Sequence, residues 1–313
     1  MKTDTALPTL GSSLPGQIGS TPLLRLEQPV RGLQGIVLLA KAEWANPSGS
    51  VMDRAAAALV RDARRRGLLV PGKTLLDATT GNTGIAYAML GAALGFPVHL
   101  AGPASISPEM KRTLLAFGAV VDWTDADQGS DAAIRRAREI AGNDPGRFCY
   151  VDQYSNDANW LAHYNSTGPE IWRETQGQVT HFVAGLGTTG TFMGTARRLK
   201  EMNPLLQAIG VQPAATGQSI PGLKSIHASI VPAIYNPHLA NRMVEVEAEA
   251  AISMAHRLAR EEGLLAGYSA AAAVVACVKI AEEEAAAGRT AVIATVLPDS
   301  GERYLGALFP QEA

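Results

Sequence analysis

Cysteine, net charge and long apolar runs are all scarce in this sequence. Its two cysteines, Cys149 and Cys277, lie next to a predicted strand and inside an alanine-rich helix, which suits a reducing compartment better than a disulfide framework. The formal charge of −2 and the pI near 6.3 give no support for a nucleic-acid partner or an anionic membrane surface. No stretch has the ~18 to 20 uninterrupted apolar residues that a membrane span requires. We therefore expect neither nucleic acid nor membrane as a partner.

Targeting and metal-binding signals are missing as well. Residues 1–17 are polar and rich in Pro, Gly and Thr, and they lack the charged and then apolar pattern of a secretory signal. The cysteine and histidine residues show no spacing typical of a metal site. The sequence therefore predicts a soluble, cytoplasmic protein without a metal.

Length and apolar content predict two α/β domains. With 313 residues, of which 47% are hydrophobic, the chain exceeds the size at which a single core usually stops growing. Short apolar runs alternate with helical patterns, an order that favours mostly parallel, twisted sheets flanked by helices. The strands are predicted at residues 36–41, 74–78, 98–102, 120–123, 180–184, 208–212 and 290–296, and the helices at 51–66, 83–94, 108–117, 131–141, 189–202, 249–262 and 270–286. The default ligand site is the cleft between the domains.

A turn rich in glycine and threonine follows the strand predicted at residues 180–184. It reads Gly185-Leu186-Gly187-Thr188-Thr189-Gly190-Thr191 and precedes a helix. Glycines let the backbone approach an anion closely, while the helix N-terminus and the threonine hydroxyls supply hydrogen-bond donors. The turn lacks the Gly-Lys-Ser/Thr of a Walker loop and the spacing of a dinucleotide-binding loop. It is either a purely structural turn or a phosphate-binding loop.

Two further turns at strand ends carry polar side chains. Thr79-Thr80-Gly81-Asn82-Thr83 runs from the strand at 74–78 into a helix, and Pro298-Asp299-Ser300-Gly301 follows the strand at 290–296. Taken alone, each is a turn with a helix cap, and Ser300 is a cap before Glu302.

Residues 46–54 read Asn-Pro-Ser-Gly-Ser-Val-Met-Asp-Arg, a turn that leads into a helix. Together with the three turns above and Thr-Gly-Pro-Glu-Ile-Trp at 167–172, this stretch resembles the cysteine synthase and cystathionine β-synthase family of pyridoxal-phosphate enzymes. Within that family it is most similar to the bacterial B-type cysteine synthases. The resemblance implies fold type II, with a ligand cleft between two α/β domains. The smaller, mobile domain would span residues 36–150, and the larger one residues 1–35 and 151–313, including the phosphate loop.

The resemblance also implies roles for the residues of the turns. Pyridoxal 5'-phosphate would be the cofactor, Asn82 would bind its 3′-oxygen and Ser300 its pyridine nitrogen. The phosphate would be bound by Gly187, Thr188, Thr189, Gly190 and Thr191. The carboxylate of a small amino-acid substrate would be bound by Thr79, Thr80, Gly81, Thr83 and Gln153. The family further implies a homodimer.

Met52 stands where the family has the lysine that forms a Schiff base with the cofactor. A thioether can neither form that bond nor shuttle a proton. The implied ancestral reaction is β-replacement on O-acetylserine, or a related activated serine, with sulfide or thiosulfate. We expect this reaction to be impaired or lost, and the cofactor to be bound noncovalently or to be absent. The alternative is a non-catalytic homologue that binds a small phosphate ligand or a partner protein.

Other positions depart from the family pattern too. Ser20 stands where the family usually has Asn, and Ser269-Ala270-Ala271 replaces a Ser-Ser-Gly beside the expected cofactor pocket. These changes favour natural divergence over a single recent or engineered change at Met52. Residues 217–223 resemble the family's cleft-lining loop, after which Lys224 and His227 either meet an anionic second substrate or lie in a solvated loop.

Overall fold

Two β-sheets organise the chain in the computed structural model, which describes residues 12–214 and 219–310. The strands are β1 (Leu23–Leu26), β2 (Ile36–Ala42), β3 (Thr74–Ala78), β4 (Val98–Pro103), β5 (Val120–Thr124), β6 (Phe148–Tyr150), β7 (His181–Gly185), β8 (Gln207–Pro213), β9 (Arg242–Val246) and β10 (Ala291–Leu297). One sheet has six strands in the order β1-β2-β10-β7-β8-β9, and the other has four in the order β5-β4-β3-β6.

Helices connect most of these strands. They are α1 (Met52–Arg65), α2 (Asn82–Leu94), α3 (Pro108–Ala116), α4 (Gly129–Asn143), α5 (Ala158–Asn165), α6 (Thr167–Glu174), α7 (Gly190–Met202), α8 (Ala248–Glu261), α9 (Tyr268–Ala286) and α10 (Leu305–Leu308), with 3-10 turns at Leu14–Gln17, Gln28–Val30, Glu43–Ala45 and Gly301–Tyr304. Within the described ranges, no helix combines the length and the apolar character that crossing a lipid bilayer demands.

The prediction of mostly parallel sheets flanked by helices is confirmed. All pairs of neighbouring strands are parallel except β1 with β2. The central strand β10 reads Ala-Val-Ile-Ala-Thr-Val-Leu, and all but one of these residues are buried. Such a continuous apolar strand is typical of a parallel sheet that is covered on both faces.

The predicted division of the chain at residue 36 does not agree with the sheets. Strand β2 pairs with β10 along seven residues, from Ile36 opposite Ala291 to Ala42 opposite Leu297. It therefore belongs to the six-stranded sheet, and the four-stranded sheet begins only at Thr74. The cause is a backbone ladder between segments far apart in the sequence. The mobility of the smaller domain stays a prediction.

Helix α2 is buried, and its burial brings its N-terminus into the interior. Its sequence, Asn-Thr-Gly-Ile-Ala-Tyr-Ala-Met-Leu-Gly-Ala-Ala-Leu, lacks charge, and every residue from Thr83 to Gly91 is buried. A helix that is apolar on all sides needs such surroundings. Gly91 permits a close approach, because a Cβ there would lie 2.7 Å from the backbone oxygen of Phe96.

Candidate ligand-binding site

The three polar turns lie at the carboxyl ends of β3, β7 and β10 and are joined by hydrogen bonds. Asn82, after β3, donates from Nδ2 to Asp299 Oδ2, after β10, over 2.7 Å. Asn159 donates to the backbone oxygen of Gln153 over 2.7 Å and to Thr188 Oγ1, after β7, over 3.1 Å. In α/β proteins the carboxyl ends of parallel strands are the usual place for a ligand. The three turns therefore form one candidate site.

Thr188 is held in the orientation of a hydrogen-bond donor. Its Oγ1 accepts from Asn159 Nδ2 over 3.1 Å and from the backbone N–H of Gly190 over 3.4 Å. A hydroxyl has two acceptor lone pairs and one proton. Because both lone pairs are occupied, the proton of Thr188 is left to donate, which is what an anion requires.

Thr189 adds a second hydroxyl beside the start of α7. Its backbone is left-handed, with φ 71°, and its side chain is buried. Thr189 Oγ1 has no hydrogen-bond partner among residues 12–214 and 219–310. A buried hydroxyl without a partner is unfavourable, and the first N–H groups of a helix also lack partners within the helix. An anion at this turn would meet both needs.

The glycines of the turn after β7 permit close backbone packing. A Cβ on Gly187 would lie 2.5 Å from the backbone oxygen of Gly222, and a Cβ on Gly190 would lie 2.0 Å from Asn159 Oδ1. Both distances are shorter than a van der Waals contact, so any larger residue would displace the loop. Of the predicted cleft-lining loop at 217–223, residues 217 and 218 lie outside the described ranges.

Helix α5 packs against the turn after β7. Asn159 contacts Thr188, and one turn later His163 Nε2 lies 3.3 Å from Thr191 Oγ1, while its Nδ1 lies 3.0 Å from Thr167 Oγ1. Burial lowers the pKa of His163 to about 3, so the imidazole is neutral. It lies between the hydroxyls of Thr167 and Thr191 and contacts both. Sequence reasoning missed Asn159. The four-residue spacing of Asn159 and His163 on one helix face was the signal available.

The turn after β3 uses its first threonine internally. Thr79 is buried, and its Oγ1 accepts from the backbone N–H of Gly81 over 3.0 Å and of Gly84 over 2.8 Å. Thr80 is exposed. Gly81 has φ 131°, and a Cβ there would meet Met110 Sδ. Thr79 therefore shapes the turn, and Thr80 is the hydroxyl that solvent or a ligand reaches.

Thr83 and Gln153 are brought together although 70 residues separate them. Thr83 Oγ1 donates to Gln153 Oε1 over 2.8 Å, and Gln153 donates from Nε2 to the backbone oxygen of Ala78. Asp77 lies beneath this pair, accepting from the Tyr87 hydroxyl over 2.9 Å and from the Gln153 N–H over 3.2 Å. Burial raises the pKa of Asp77 to about 8.

Asn82 is held at both ends of its amide. Besides donating to Asp299, it accepts at Oδ1 from Arg303 Nη1 over 2.5 Å. The Tyr304 hydroxyl donates to the same Asp299 oxygen over 2.7 Å. Ser300 accepts at Oγ from the backbone N–H of Glu302 over 3.2 Å, which is the cap anticipated as the simpler alternative, and its own proton remains available to donate.

Met52 is the first residue of α1 and lies at an apolar junction. Its side chain is partly buried and packs against two separate hydrophobic clusters, one that includes Val51 and Val296 and a second that includes Leu38 and Leu59. The preceding backbone N–H of Val51 donates to the oxygen of Pro298 over 2.8 Å. Met52 thus lies next to the turn after β10, and its side chain packs against apolar neighbours.

The lysines with buried side chains are paired with acidic side chains. Lys41 Nζ lies 2.9 Å from both Glu170 and Glu174, in a network where Arg54 also contacts Glu43 and Glu170 over 2.7 Å. These charges compensate one another, as buried charges must.

The anionic subsite suggested at Lys224 is not supported. Lys224 Nζ lies 2.7 Å from Asp131 Oδ1, and the backbone N–H of Ile230 donates to the other Asp131 oxygen over 2.8 Å. The cation is therefore neutralised by an aspartate of α4. His227 is exposed, as expected for a solvated loop.

Comparison with known proteins shows the family to which this chain belongs. The family model of pyridoxal-phosphate dependent enzymes matches residues 14–299, and the chain belongs to this family. Its relatives include a cysteine synthase from Aquifex aeolicus, 49% identical over 290 residues, which are 92% of this chain and 89% of that protein. A cysteine synthase B from Pseudomonas aeruginosa is 41% identical over 92% of this chain and 94% of its own length. The chain is thus similar to cysteine synthases, including the B type.

Solved structures agree. The O-acetyl serine sulfhydrylase isoform 3 from Entamoeba histolytica superposes with a TM-score of 0.87 at 30% identity, covering 100% of this chain and 96% of that one. The two sheets and their flanking helices are therefore those of a fold type II pyridoxal-phosphate enzyme.

The described residues fit the phosphate of this family's cofactor. The donor hydroxyl of Thr188, the unpartnered hydroxyl of Thr189 and the N-terminus of α7 converge at one turn. The residues fit its covalent attachment poorly, because Met52 has no amine and Lys41 is held by two glutamates.

Proposed function

We propose that this protein is cysteine-synthase-like, that it holds pyridoxal phosphate noncovalently, and that β-replacement on O-acetylserine or a related activated serine is strongly impaired. The observation that carries this proposal is Met52, at the first turn of α1 and beside the turn after β10. We take it to occupy the position of the family's Schiff-base lysine. A methionine there offers neither the amine for a covalent link nor a group that accepts a proton.

Phosphate binding is supported by the turn after β7. Thr188 and Thr189 supply hydroxyl protons, and α7 supplies N–H groups and the positive end of its dipole. The neighbouring His163 is neutral, since burial lowers its pKa to about 3. The phosphate is therefore bound mainly by neutral donors.

Binding of an amino-acid substrate is supported by Gln153 and Thr83. Gln153 uses one N–H on the backbone oxygen of Ala78, so that its second N–H is left for a carboxylate. The exposed Thr80 hydroxyl and the N-terminus of α2 lie beside it. When bound, pyridoxal phosphate supplies a ring that withdraws electrons from the α-carbon of an amino acid. The chain positions both molecules, but at residue 52 it places no base to move the α-proton.

We further propose that the protein is a cytoplasmic homodimer and that the part built on the four-stranded sheet moves relative to the rest. The resemblance to cysteine synthases supports both statements. Light scattering on the purified protein tests the dimer, and a mass of one chain, 32.8 kDa, would refute it.

The central experiment combines a ligand titration with a revertant. Wild type should bind pyridoxal phosphate, release it on dialysis, retain none after borohydride treatment, and make no cysteine from O-acetylserine and sulfide. Met52→Lys should retain the cofactor after borohydride and gain cysteine synthesis, whereas Met52→Leu should behave as wild type.

Three outcomes would change this conclusion. Cofactor fixed to the wild-type protein by borohydride would refute noncovalent binding. A wild type that binds no pyridoxal phosphate would favour the alternative, a non-catalytic homologue with another ligand or a protein partner. An inactive Met52→Lys would also favour the non-catalytic homologue, in which Ser20 and residues 269–271 are further departures from the family pattern.

A further inference from the structure

We propose that Arg303 and Asp299 are positioning residues that turn the Asn82 amide into a hydrogen-bond donor towards the ring of the bound cofactor. This inference rests on the proposed binding of pyridoxal phosphate and adds a reason for its specificity. The ligand feature that it selects is an acceptor oxygen on the ring.

Arg303 contacts the oxygen end of the Asn82 amide. A guanidinium carries five N–H donors and no acceptor, and its Nη1 lies 2.5 Å from Asn82 Oδ1. Only the carbonyl end of the amide can occupy that position. Arg303 therefore removes the rotation by half a turn that would exchange the oxygen and nitrogen of Asn82.

Asp299 contacts the nitrogen end of the same amide. Its Oδ2 accepts from Asn82 Nδ2 and from the Tyr304 hydroxyl, each over 2.7 Å. Burial raises the pKa of Asp299, although Asn82, Arg303 and Tyr304 oppose that rise. If Asp299 takes up a proton, Oδ1 is the oxygen without a partner among the described residues. Oδ2 is thus an acceptor in either protonation state.

The Asn82 amide has one more donor than its two neighbours use. Asn82 has two N–H donors and one carbonyl oxygen. Arg303 occupies the oxygen, and Asp299 takes one N–H. One N–H remains without a partner in the described part of the chain, so that Asn82 offers a ligand a donor.

Arg303 is itself fixed by neighbours from two other segments. Its Nη2 donates to the backbone oxygen of Ser48, and its own backbone oxygen accepts from Ser107 Oγ over 2.7 Å. Ser48 is held in turn, because its N–H donates to Asp53 Oδ2 over 2.7 Å. Side-chain entropy is therefore already lost before a ligand arrives, which is how a site is preorganised.

The first test compares two ligands, pyridoxal phosphate and its analogue that lacks the 3-oxygen, by fluorescence titration. Wild type should prefer pyridoxal phosphate by about tenfold, the size of one good hydrogen bond. Asn82→Ala should abolish that preference. Arg303→Met should reduce it to about twofold while leaving affinity for the analogue nearly unchanged, and Arg303→Lys should retain part of it.

Two results of this titration would overturn the positioning role. One is an Arg303→Met protein that keeps the full tenfold preference. The other is an equal loss of affinity for both ligands in a variant that melts at the wild-type temperature, which would indicate a general disturbance of the cleft.

A second measurement needs no ligand and separates this inference from the proposed function. With asparagine labelled by ¹⁵N, the two Nδ2 protons of Asn82 should be distinct in wild type, and the one that is hydrogen-bonded to Asp299 should be protected from exchange. In Arg303→Met this proton should exchange faster, by about tenfold or more. Unchanged exchange would refute the positioning of Asn82. Absence of pyridoxal-phosphate binding with changed exchange would refute the proposed function alone.

Discussion

Asn159 Nδ2 lies 3.1 Å from Thr188 Oγ1 and donates a hydrogen bond to it. Since Thr188 accepts a second bond from the Gly190 N–H, its only proton faces away from both donors. A residue of α5 thereby sets the polarity of a hydroxyl in the turn after β7. This contact and buried groups elsewhere in the fold lead to five predictions.

Replacing Asn159 by Ala should weaken phosphate binding. Without the amide, Thr188 regains a lone pair and its hydroxyl is no longer constrained to donate to a ligand. We expect the affinity for pyridoxal phosphate to fall about fivefold to tenfold, the worth of one hydrogen bond. Asn165→Ala on the exposed face of the same helix is the matched control and should leave the Kd unchanged. Equal Kd values for the Asn159 variant and wild type would contradict the role of this contact.

Thr189→Val should weaken ligand binding without destabilising the protein. Thr189 Oγ1 is buried and has no partner within the described ranges, so that its loss should leave the free energy of unfolding unchanged or raise it by about 1 kcal/mol. The affinity for pyridoxal phosphate should fall about tenfold in a titration.

Thr195→Val is the control for this change. Thr195 lies in α7, the helix that begins directly after Thr189, and also has a buried hydroxyl without a partner among the described residues; we expect similar unfolding behaviour in urea with no change in ligand affinity. A Thr189→Val protein that binds as tightly as wild type would show that the hydroxyl does not face the phosphate.

Asp77→Asn should remove a pH dependence of stability. Burial raises the pKa of Asp77 from 3.8 to about 8, so between these values the folded protein holds more protons than the unfolded chain. The contribution of Asp77 to stability is therefore fully present below about pH 4 and declines as the pH rises towards 8. Urea unfolding at several pH values across this window should give a smaller decline for the variant than for wild type. Parallel pH profiles would contradict a protonated Asp77 in the fold.

Glu170→Gln should destabilise the protein strongly. Glu170 is buried between Arg54, at 2.7 Å, and Lys41, at 2.9 Å, and removing its charge leaves two buried cations undercompensated. We expect a loss of about 3 kcal/mol in the free energy of unfolding. Glu261→Gln, which breaks the exposed pair of Glu261 with Arg257, should cost less than about 0.5 kcal/mol.

The same carboxylate predicts sensitivity to acid. Arg54 and Lys41 outweigh burial and lower the pKa of Glu170 from 4.5 to about 2. Its contribution is thus present above pH 4.5 and is lost as the pH falls towards 2. Acid unfolding of wild type should be steeper in this window than that of Glu170→Gln, and identical curves would contradict the assignment.

Local sequence patterns were sufficient for most of the secondary structure. The helix predicted at 51–66 is α1 (Met52–Arg65), and the strand predicted at 74–78 is β3 (Thr74–Ala78). Both have a hydrophobic period and turn residues within a single window. The sequence patterns did not predict α5 (Ala158–Asn165) and α6 (Thr167–Glu174). Each has eight residues, which are too few to show a helical hydrophobic period. The patterns also missed β6 (Phe148–Tyr150), a strand of three residues.

Long-range pairing was beyond the sequence. Strand β2 was grouped with the strands that follow it, yet it pairs with β10, where Ile36 lies opposite Ala291. Adjacency in the chain is a reasonable default for strands, and here a ladder between distant segments prevails. The involvement of Lys224 with Asp131 was hidden for the same reason, because 93 residues separate the two.

The sequence by itself determined the succession of strands and helices, the glycine turns at their ends and the methionine at residue 52, because each of these depends on neighbours within a few positions. Only the tertiary structure decided which atom each polar group presents. Arg303 reaches Asn82 across 221 residues, and Asn159 reaches Thr188 across 29. A side-chain amide or hydroxyl can donate or accept, and packing alone supplies the distant partners that fix this choice. Residues 46–54 indicate the family, and those partners determine which donors and acceptors the turns at the strand ends present.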